Sequence, residues 1–525
     1  MIAVIGSGPA GVSAARALAA RGQRVALFDA GMELEAERRG EIDRLATQPP
    51  DEWDRDSIDV IRDTGDVGVG GVMRKLSYGS DFPHRDVARW LPFENHGSDA
   101  RPTLARGGFS TVWGSCVLPY LDEDLADWPL TSADLAPHYR AVMKFLPLAA
   151  THDALAEEFP LYCETPQQLA PSAQARALMH DLDRARRRLA AKGLRFGWSR
   201  TAVRAEESAA GPGCVYCGLC LQGCPHRLIY DASATLDQLL ASDAVEYRKG
   251  VVVERFEERG GDVELELRSI ASGDRTRTHV ERVYVGCGAI ATTRLLLASL
   301  ECYDRPVTIR DSQYFLLPWL RARGVPRPRD EALHTLCQAF LELRDPRIDP
   351  RNVHLQIYTY NDLYARLFDR LLGPLRGAAR PLIDAVLARL LLIQGYLHSD
   401  ASPTIEATLE RRADTPVLQL VERRNPRTRP VVRRLVARLV RLAPELGALP
   451  VVPALRIAPA GRGFHSGGSF PMHERPGELE CDLLGRPHGL ERVHLIDSST
   501  FPTIPSTTIT LTVMANAHRI ASTDL

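Results

Sequence analysis

The chain has 525 residues, with 65 Lys and Arg against 66 Asp and Glu, a formal net charge of -1, and 45% hydrophobic and 25% charged residues. That length is more than one simple core absorbs, so two domains, or one large domain with inserted segments, are expected. The balanced charge excludes nucleic acid as the main partner, the composition excludes a disordered chain, and the lack of an uninterrupted apolar run of about 18 residues excludes a spanning helix.

The chain opens on "IAVIGSGPAGVSAARALAARGQRVALFDAG", which reads as strand, tight turn, helix and strand. Ile2 to Ile5 form a short buried-strand run, and Gly6, Gly8 and Gly11 give the pattern G-x-G-x-x-G. An Ala-rich helix is predicted from Val12 to Ala20, and a second strand from Val25 to Phe28 ends in Asp29. Each part has a physical task. Gly6 permits the sharp turn, Gly8 lets backbone approach a pyrophosphate, Gly11 allows close helix–strand packing, and the helix N-terminus faces the anion. Asp29, about 20 residues on, is placed to accept hydrogen bonds from ribose hydroxyls. The pattern predicts a dinucleotide site without separating FAD from NAD; the bland alternative is a Gly-rich turn in an ordinary βαβ unit. The first residues lack a basic n-region and run straight into the turn, so they do not read as a secretory signal. Together with ten cysteines not spread like a disulfide framework, this predicts a cytoplasmic protein.

Further along, "GPGCVYCGLCLQGCPHR" spaces Cys214, Cys217, Cys220 and Cys224 as C-x2-C-x2-C-x3-C, with Pro225 after the last. That is the bacterial ferredoxin spacing. It predicts an iron–sulfur cluster, four-iron with Cys224 as fourth ligand, or three-iron with three ligands; Cys116 or Cys163 could also supply a remote thiolate. Zinc prefers paired C-x2-C knuckles set well apart. Zinc and a set of inert or redox-active thiols remain the competing readings.

The middle, Asn361 to Asp400, carries Leu367, Leu371 and Leu375 at helical spacing, with Arg366, Arg370, Arg376 and Arg380 on another side. Pro374 and Pro381 are expected to break it into short helices. Such basic amphipathic helices can lie on a membrane surface, but core-facing helices with solvated arginines are favoured. "RRNPRTRPVVRRLVARLVRL" reads the same way.

Several ordered motifs carry a resemblance. "ARGGFSTVWGS", "DWPLTSADLAPHYRAV", "VGCGAIATTRLLLAS" and "HLIDSSTFPTIPSTTITLTVMANAHRIAS", with the N-terminal fingerprint, resemble the glucose–methanol–choline (GMC) family of FAD-dependent oxidoreductases. The resemblance implies an α/β fold: a Rossmann-like FAD-binding domain assembled from discontinuous segments, 1–120, 205–300 and 480–525, plus an α+β substrate-binding domain from 121–204 and 301–479. It implies FAD held by Gly6, Gly8, Gly11, Asp29, Gly107, Gly108, Ser110, Val252, Gly288, Ala289 and Asp497. In the family a histidine in an H-x-x-G-[GT] segment takes the substrate's hydroxyl proton while hydride leaves for flavin N5; "GFHSGGSFPM" supplies His465 in that place. The family's second catalytic residue, usually Asn or His, aligns with Thr508 in "PSTTITLT". Thr is not a base, so the usual pair is incomplete. Bacterial FAD-dependent sugar dehydrogenases of this family carry cysteine-ligated clusters in the same region. The reading implied is a dehydrogenase acting on a sugar or natural-product alcohol, passing electrons through the cluster to a protein or quinone. Alternatives are a redox-neutral isomerase or epimerase, and a non-catalytic electron carrier.

Overall fold

The computed structural model describes residues 1–62, 75–208, 211–373, 376–412 and 415–523. A parallel sheet runs in the order Val493–Leu495, Arg282–Val285, Ile2–Ile5, Val25–Asp29, Val245–Lys249. Every residue of the first two strands in chain order, Ile2–Ile5 and Val25–Asp29, is buried. Strands covered on both faces read as continuous apolar runs, which is what the sequence shows. Alternate residues serve alternate faces. Ile2, Val4, Val25 and Leu27 pack with the helices Pro9–Ala20 and Thr510–Ser522. Ala3, Ile5, Ala26 and Phe28 pack with the helix Ala289–Ser299 and the antiparallel strands Val251–Arg259 and Asp262–Ser269.

A second, antiparallel sheet orders Ala448–Pro450, Tyr314–Arg321, Leu390–Leu397, Val353–Tyr358, Ala339–Leu343 and Leu194–Trp198. One face buries Phe315, Leu317, Trp319, Leu391 and Ile393 against the helices Ala173–Ala190 and Thr428–Arg441. The latter helix buries Val431, Val432, Leu435, Val436 and Leu439 and turns Arg433 and Arg434 outward, as its pattern requires. A third sheet, from Phe93–His96, Val307–Asp311, Thr404–Glu410, Val417–Arg423 and Ser466–Gly467, holds the segment beginning at His465.

One expectation is corrected in the middle segment. Helices span Asp362–Leu372 and Arg376–Leu387, and Pro381 lies inside the second instead of breaking it. The carbonyl it leaves without a helical partner is that of Gly377; both residues are exposed, so that carbonyl is open to solvent. Pro374 and Leu375, and the side chains of Arg370, Leu371 and Arg376, lie outside the described residues. Among the described residues no helix is long and apolar enough to cross a membrane.

Candidate active site

The turn after the first strand is built for close backbone contact. Gly6 has φ +97°, and a Cβ on Gly11 would stand 1.8 Å from the Gly6 carbonyl oxygen. Neither position accepts a larger residue. Gly8 caps the helix Pro9–Ala20 in extended conformation with no side chain on its first amides. Those amides and the helix dipole therefore face a large chamber lined by Gly6, Gly8, Pro9 and Ala10, an arrangement that binds anions. Asp29 lines the same chamber. It accepts from the Ser7 hydroxyl and, at 3.0 Å, from Tyr247, yet burial pushes its pKa up to about 6.

Two further loops close on the cradle. Gly107 donates to Ser7 Oγ at 2.9 Å, and Ser110 Oγ accepts from Ala232 N at 2.8 Å. Gly108 and Ser110 line the chamber; Gly107 stands behind them against Ser233. Val252, Gly288, Ala289 and Asp497 line it from the other side. Asp497 accepts from Gly288 N at 2.8 Å and Thr292 Oγ1 at 2.5 Å, and burial raises its pKa.

The chamber, about 1030 Å³, continues beyond this cradle. Single small-molecule sites occupy ~300–1,000 Å³, so the volume suits a dinucleotide with a second molecule beside it. His465 lies in this second part, its Nδ1 buried without a hydrogen-bond partner. Its ring stacks on Tyr396, centroids 4.8 Å apart. Enclosure, with His354 nearby, lowers its pKa to about 4, so the imidazole is neutral at pH 7. Phe464 just before it holds φ +56°, a strained value for a bulky residue, and packs on Phe109 at 4.7 Å. Thr508 lines the same space, and its Oγ1 accepts from Leu118 N at 2.7 Å.

With this geometry in view, residues 412–517 match the family model described as GMC oxidoreductase, and residues 4–34 match that of an NAD(P)-binding Rossmann-like domain. The chain has a GMC oxidoreductase C-terminal domain. Its whole fold is similar to that of pyridoxine 4-oxidase from Mesorbium loti, with TM-score 0.61 at 13% identity, over 99% of this chain and 98% of that one. No curated protein sequence matches the chain. The GMC match spans the segment that ends the third sheet and carries both His465 and Thr508.

The cysteine expectation finds no support in the described residues. Among the described residues no group of three or more His, Cys, Asp or Glu side chains is placed to hold a metal ion, and the set Cys214, Cys217, Cys220 and Cys224 is no exception. The loop is held by other contacts. Cys217 forms a β-bridge with Leu333, Thr335 Oγ1 donates to the Gly218 carbonyl at 3.2 Å, and Tyr78 OH donates to the Cys224 carbonyl at 2.9 Å. All four thiols are raised by burial, and Cys214, Cys217 and Cys224 each lie near enough to Cys220 to feel its charge. They adjoin the chamber through Lys75, Trp113 and Gln222, which line it and the smaller cavity beside Cys220 and Cys224. Cys116 lies apart, against the buried Cys337 and Tyr358.

Sequence reasoning missed the chamber's other wall. Tyr314, Tyr358, Tyr396, Gln356 and Gln394 reach it from the second sheet. No sequence signal marks it, because Tyr314–Arg321 and Leu390–Leu397 alternate in burial but are apolar on both faces.

Proposed function

We propose that the protein is an FAD-dependent oxidoreductase that converts a CH–OH group to a carbonyl, with His465 as general base. The observation that carries this reading is the unpartnered imidazole of His465 facing the same chamber as the dinucleotide cradle. The cradle suits FAD: Gly11 lets the helix close on the Gly6 turn where a Cβ would collide with it, a helix N-terminus opens into the chamber, and Asp29 keeps a buried carboxylate there. Gly6, Gly8, Gly11 and Asp29 would hold the adenosine-diphosphate end, with Gly107 supporting Gly108 and Ser110, and Val252, Gly288, Ala289 and Asp497 completing the enclosure. Bound FAD supplies a hydride acceptor.

The chain's own residues do the rest. His465, neutral at pH 7, accepts the hydroxyl proton as the carbon loses a hydride, so the alcohol gives up two electrons and two hydrogens in all. Thr508 Oγ1 already accepts from Leu118 N, which leaves its proton to donate to the substrate oxygen. Tyr396 holds the imidazole in plane. The electron pair finally leaves to an external quinone or protein acceptor. No step is routed through Cys214, Cys217, Cys220 and Cys224.

The segments 1–120, 205–300 and 480–525 are assigned to the cofactor half, supported by the five strands of the parallel sheet, which all come from them. The segments 121–204 and 301–479 form the substrate half, supported by the second sheet. Phe93–His96 crosses this division by pairing with Val417–Arg423.

Anaerobic photometry tests the reading. A reactive alcohol bleaches the flavin bands of the FAD-loaded protein, and His465→Ala binds FAD but stays oxidised. Unchanged bleaching in that variant rejects the base. Turnover without net bleaching identifies an isomerase instead.

A further inference from the structure

The second sheet shapes one wall of the chamber, and its register shows how. Tyr314–Arg321 pairs antiparallel with Leu390–Leu397 so that Tyr314 faces Tyr396, Leu316 faces Gln394, Pro318 faces Leu392 and Leu320 faces Leu390. Side chains alternate across a strand. The intervening residues Phe315, Leu317, Trp319, Leu391 and Ile393 fill the core behind the sheet. The four facing pairs all line the chamber.

Read along the strands, these pairs form a gradient. Beside His465 stand the two tyrosines; next come Leu316 with Gln394; beyond them the wall is only Pro318, Leu392, Leu320 and Leu390. Six residues separate Tyr396 from Leu390, about 20 Å at about 3.3 Å per residue. Leu316, Pro318, Leu320, Leu390 and Leu392 are only half-buried, so their exposed surface looks into open space instead of protein. The opposite side adds Leu363, Leu367 and Phe368 from the helix Asp362–Leu372.

Two of the charges on this wall are ion-paired, and the guanidinium of Arg456, opposite Leu316, is exposed and donates to the Leu455 carbonyl at 3.0 Å. Arg62 pairs with Asp362, and Arg366 with Asp59 at 2.6 Å. Lys75 Nζ donates to the Trp113 carbonyl at 2.5 Å. Among the described residues the acidic ones lining the chamber are Asp29 and Asp497, both at the dinucleotide end. A polyol placed along the leucine wall would lose water from several hydroxyls with too few acceptors in return. A hydrocarbon body would gain from the same surface.

We propose that the substrate is an alcohol with a large apolar body, bound with its hydroxyl at His465 and its hydrocarbon along Leu316, Pro318, Leu392, Leu320 and Leu390, and that sugars are not substrates. This rests on the oxidation proposed at His465. It replaces the sugar by the size and polarity of the space, and makes the leucine wall the determinant of specificity.

Two series test it on the FAD-loaded protein. Straight-chain primary amides, which cannot be oxidised at a hydroxyl, are titrated by the perturbation of the flavin absorbance. Straight-chain alcohols and glucose are then offered anaerobically. Amide affinity rises about three- to fourfold per added methylene, the worth of one buried CH2. Leu392→Asn flattens that rise for the longer chains and leaves the shortest unchanged. Leu316→Asn serves the same purpose if the first variant loses FAD. An affinity independent of chain length, or bleaching by glucose in preference to long alcohols, overturns the inference. Chain-length-dependent amide binding with no bleaching by any alcohol keeps the apolar site and sinks the oxidation.

Discussion

The imidazole of His465 lies on the phenol ring of Tyr396, with centroids 4.8 Å apart and planes inclined by 23°. Stacking fixes the ring's plane while Nδ1 stays without a partner. Enclosure disfavours the charged form and lowers the pKa from 6.5 to about 4. Two expectations follow from the sign. Flavin reduction by an alcohol falls as pH drops through about 4 and is flat from pH 5.5 to 8, because the base is already neutral there. The unfolded chain binds the extra proton below pH 6.5, so folded-state stability contributed by the neutral ring is lost as pH falls from 6.5 to 4. The apo protein should therefore lose up to roughly 3 kcal/mol relative to His465→Gln across that window. A stopped-flow pH profile and paired denaturant titrations measure both; a reduction rate with a midpoint near 6.5 would mean an ordinary, solvated histidine.

Asp29 behaves in the opposite sense. Burial raises its pKa from 3.8 to about 6 against the pull of Ser7, Tyr247 and Arg106. Its folded pKa lies above the unfolded value, so the associated stability is present below pH 3.8 and lost as pH rises through 6. At pH 7 the empty protein holds an ionised carboxylate that burial disfavours. Asp29→Asn is expected to stabilise the apo protein at pH 7 by up to roughly 3 kcal/mol, with the gain vanishing near pH 4. FAD affinity should drop at least about tenfold, one ribose hydrogen bond to a charged acceptor being worth ~1.5–3 kcal/mol. Thermal unfolding with and without FAD checks this. A variant less stable than wild type when empty would show that the charge is well solvated.

Glycine positions separate by what surrounds them. A Cβ at Gly11 would meet the Gly6 oxygen at 1.8 Å and the Gly6 carbon at 2.9 Å, both backbone atoms that cannot swing away. Gly11→Ala should cost about 3 kcal/mol, the upper end of overpacking, and yield protein without FAD. Gly40, in the exposed helix Ala36–Ala46, has nothing within 4 Å of a built Cβ. Gly40→Ala should stabilise by about 0.5–1 kcal/mol and keep FAD. Equal behaviour of the two variants in denaturant titration and flavin content would contradict the cradle.

The contrast between what sequence did and did not reveal has physical causes. The cradle is legible because each of its parts has a local signature: Gly6, Gly8 and Gly11 at fixed offsets, a strand before, a helix after and Asp29 at the next strand's end. The chamber wall has none. Period-two patterning is visible only when the two faces differ in polarity, and "YFLLPWLR" and "LLLIQGYL" are apolar on both. One face is core and the other an unfilled hydrophobic wall, so the feature that sets specificity also erases the signal. The cysteine spacing has a local signature but no counterpart among the described residues: no group there is placed to hold a metal ion, and Cys217 is bridged to the distant Leu333.

Behind the chamber wall, Glu342 and His354 are fully buried and 2.6 Å apart. Asn352 Nδ2 donates to the other Glu342 oxygen at 2.5 Å. The Tyr358 hydroxyl donates to Gln356 Oε1 at 3.1 Å, so the Gln356 amide nitrogen is the donor to His354 Nε2 at 3.2 Å. That assigns the proton to His354 Nδ1, pointing at Glu342. Tyr358 and Gln356 line the chamber, so this chain fixes their orientation from beneath. Glu342→Leu would orphan two buried donors, on His354 and Asn352, at about 1–3 kcal/mol each, and should cost about 4 kcal/mol. Glu342→Gln retains an acceptor for His354 and should cost less than half as much. Urea denaturation of both variants, with FAD content measured alongside, checks the ordering. A leucine variant within 1 kcal/mol of wild type would mean that water replaces the carboxylate and that the wall is not held by this pair.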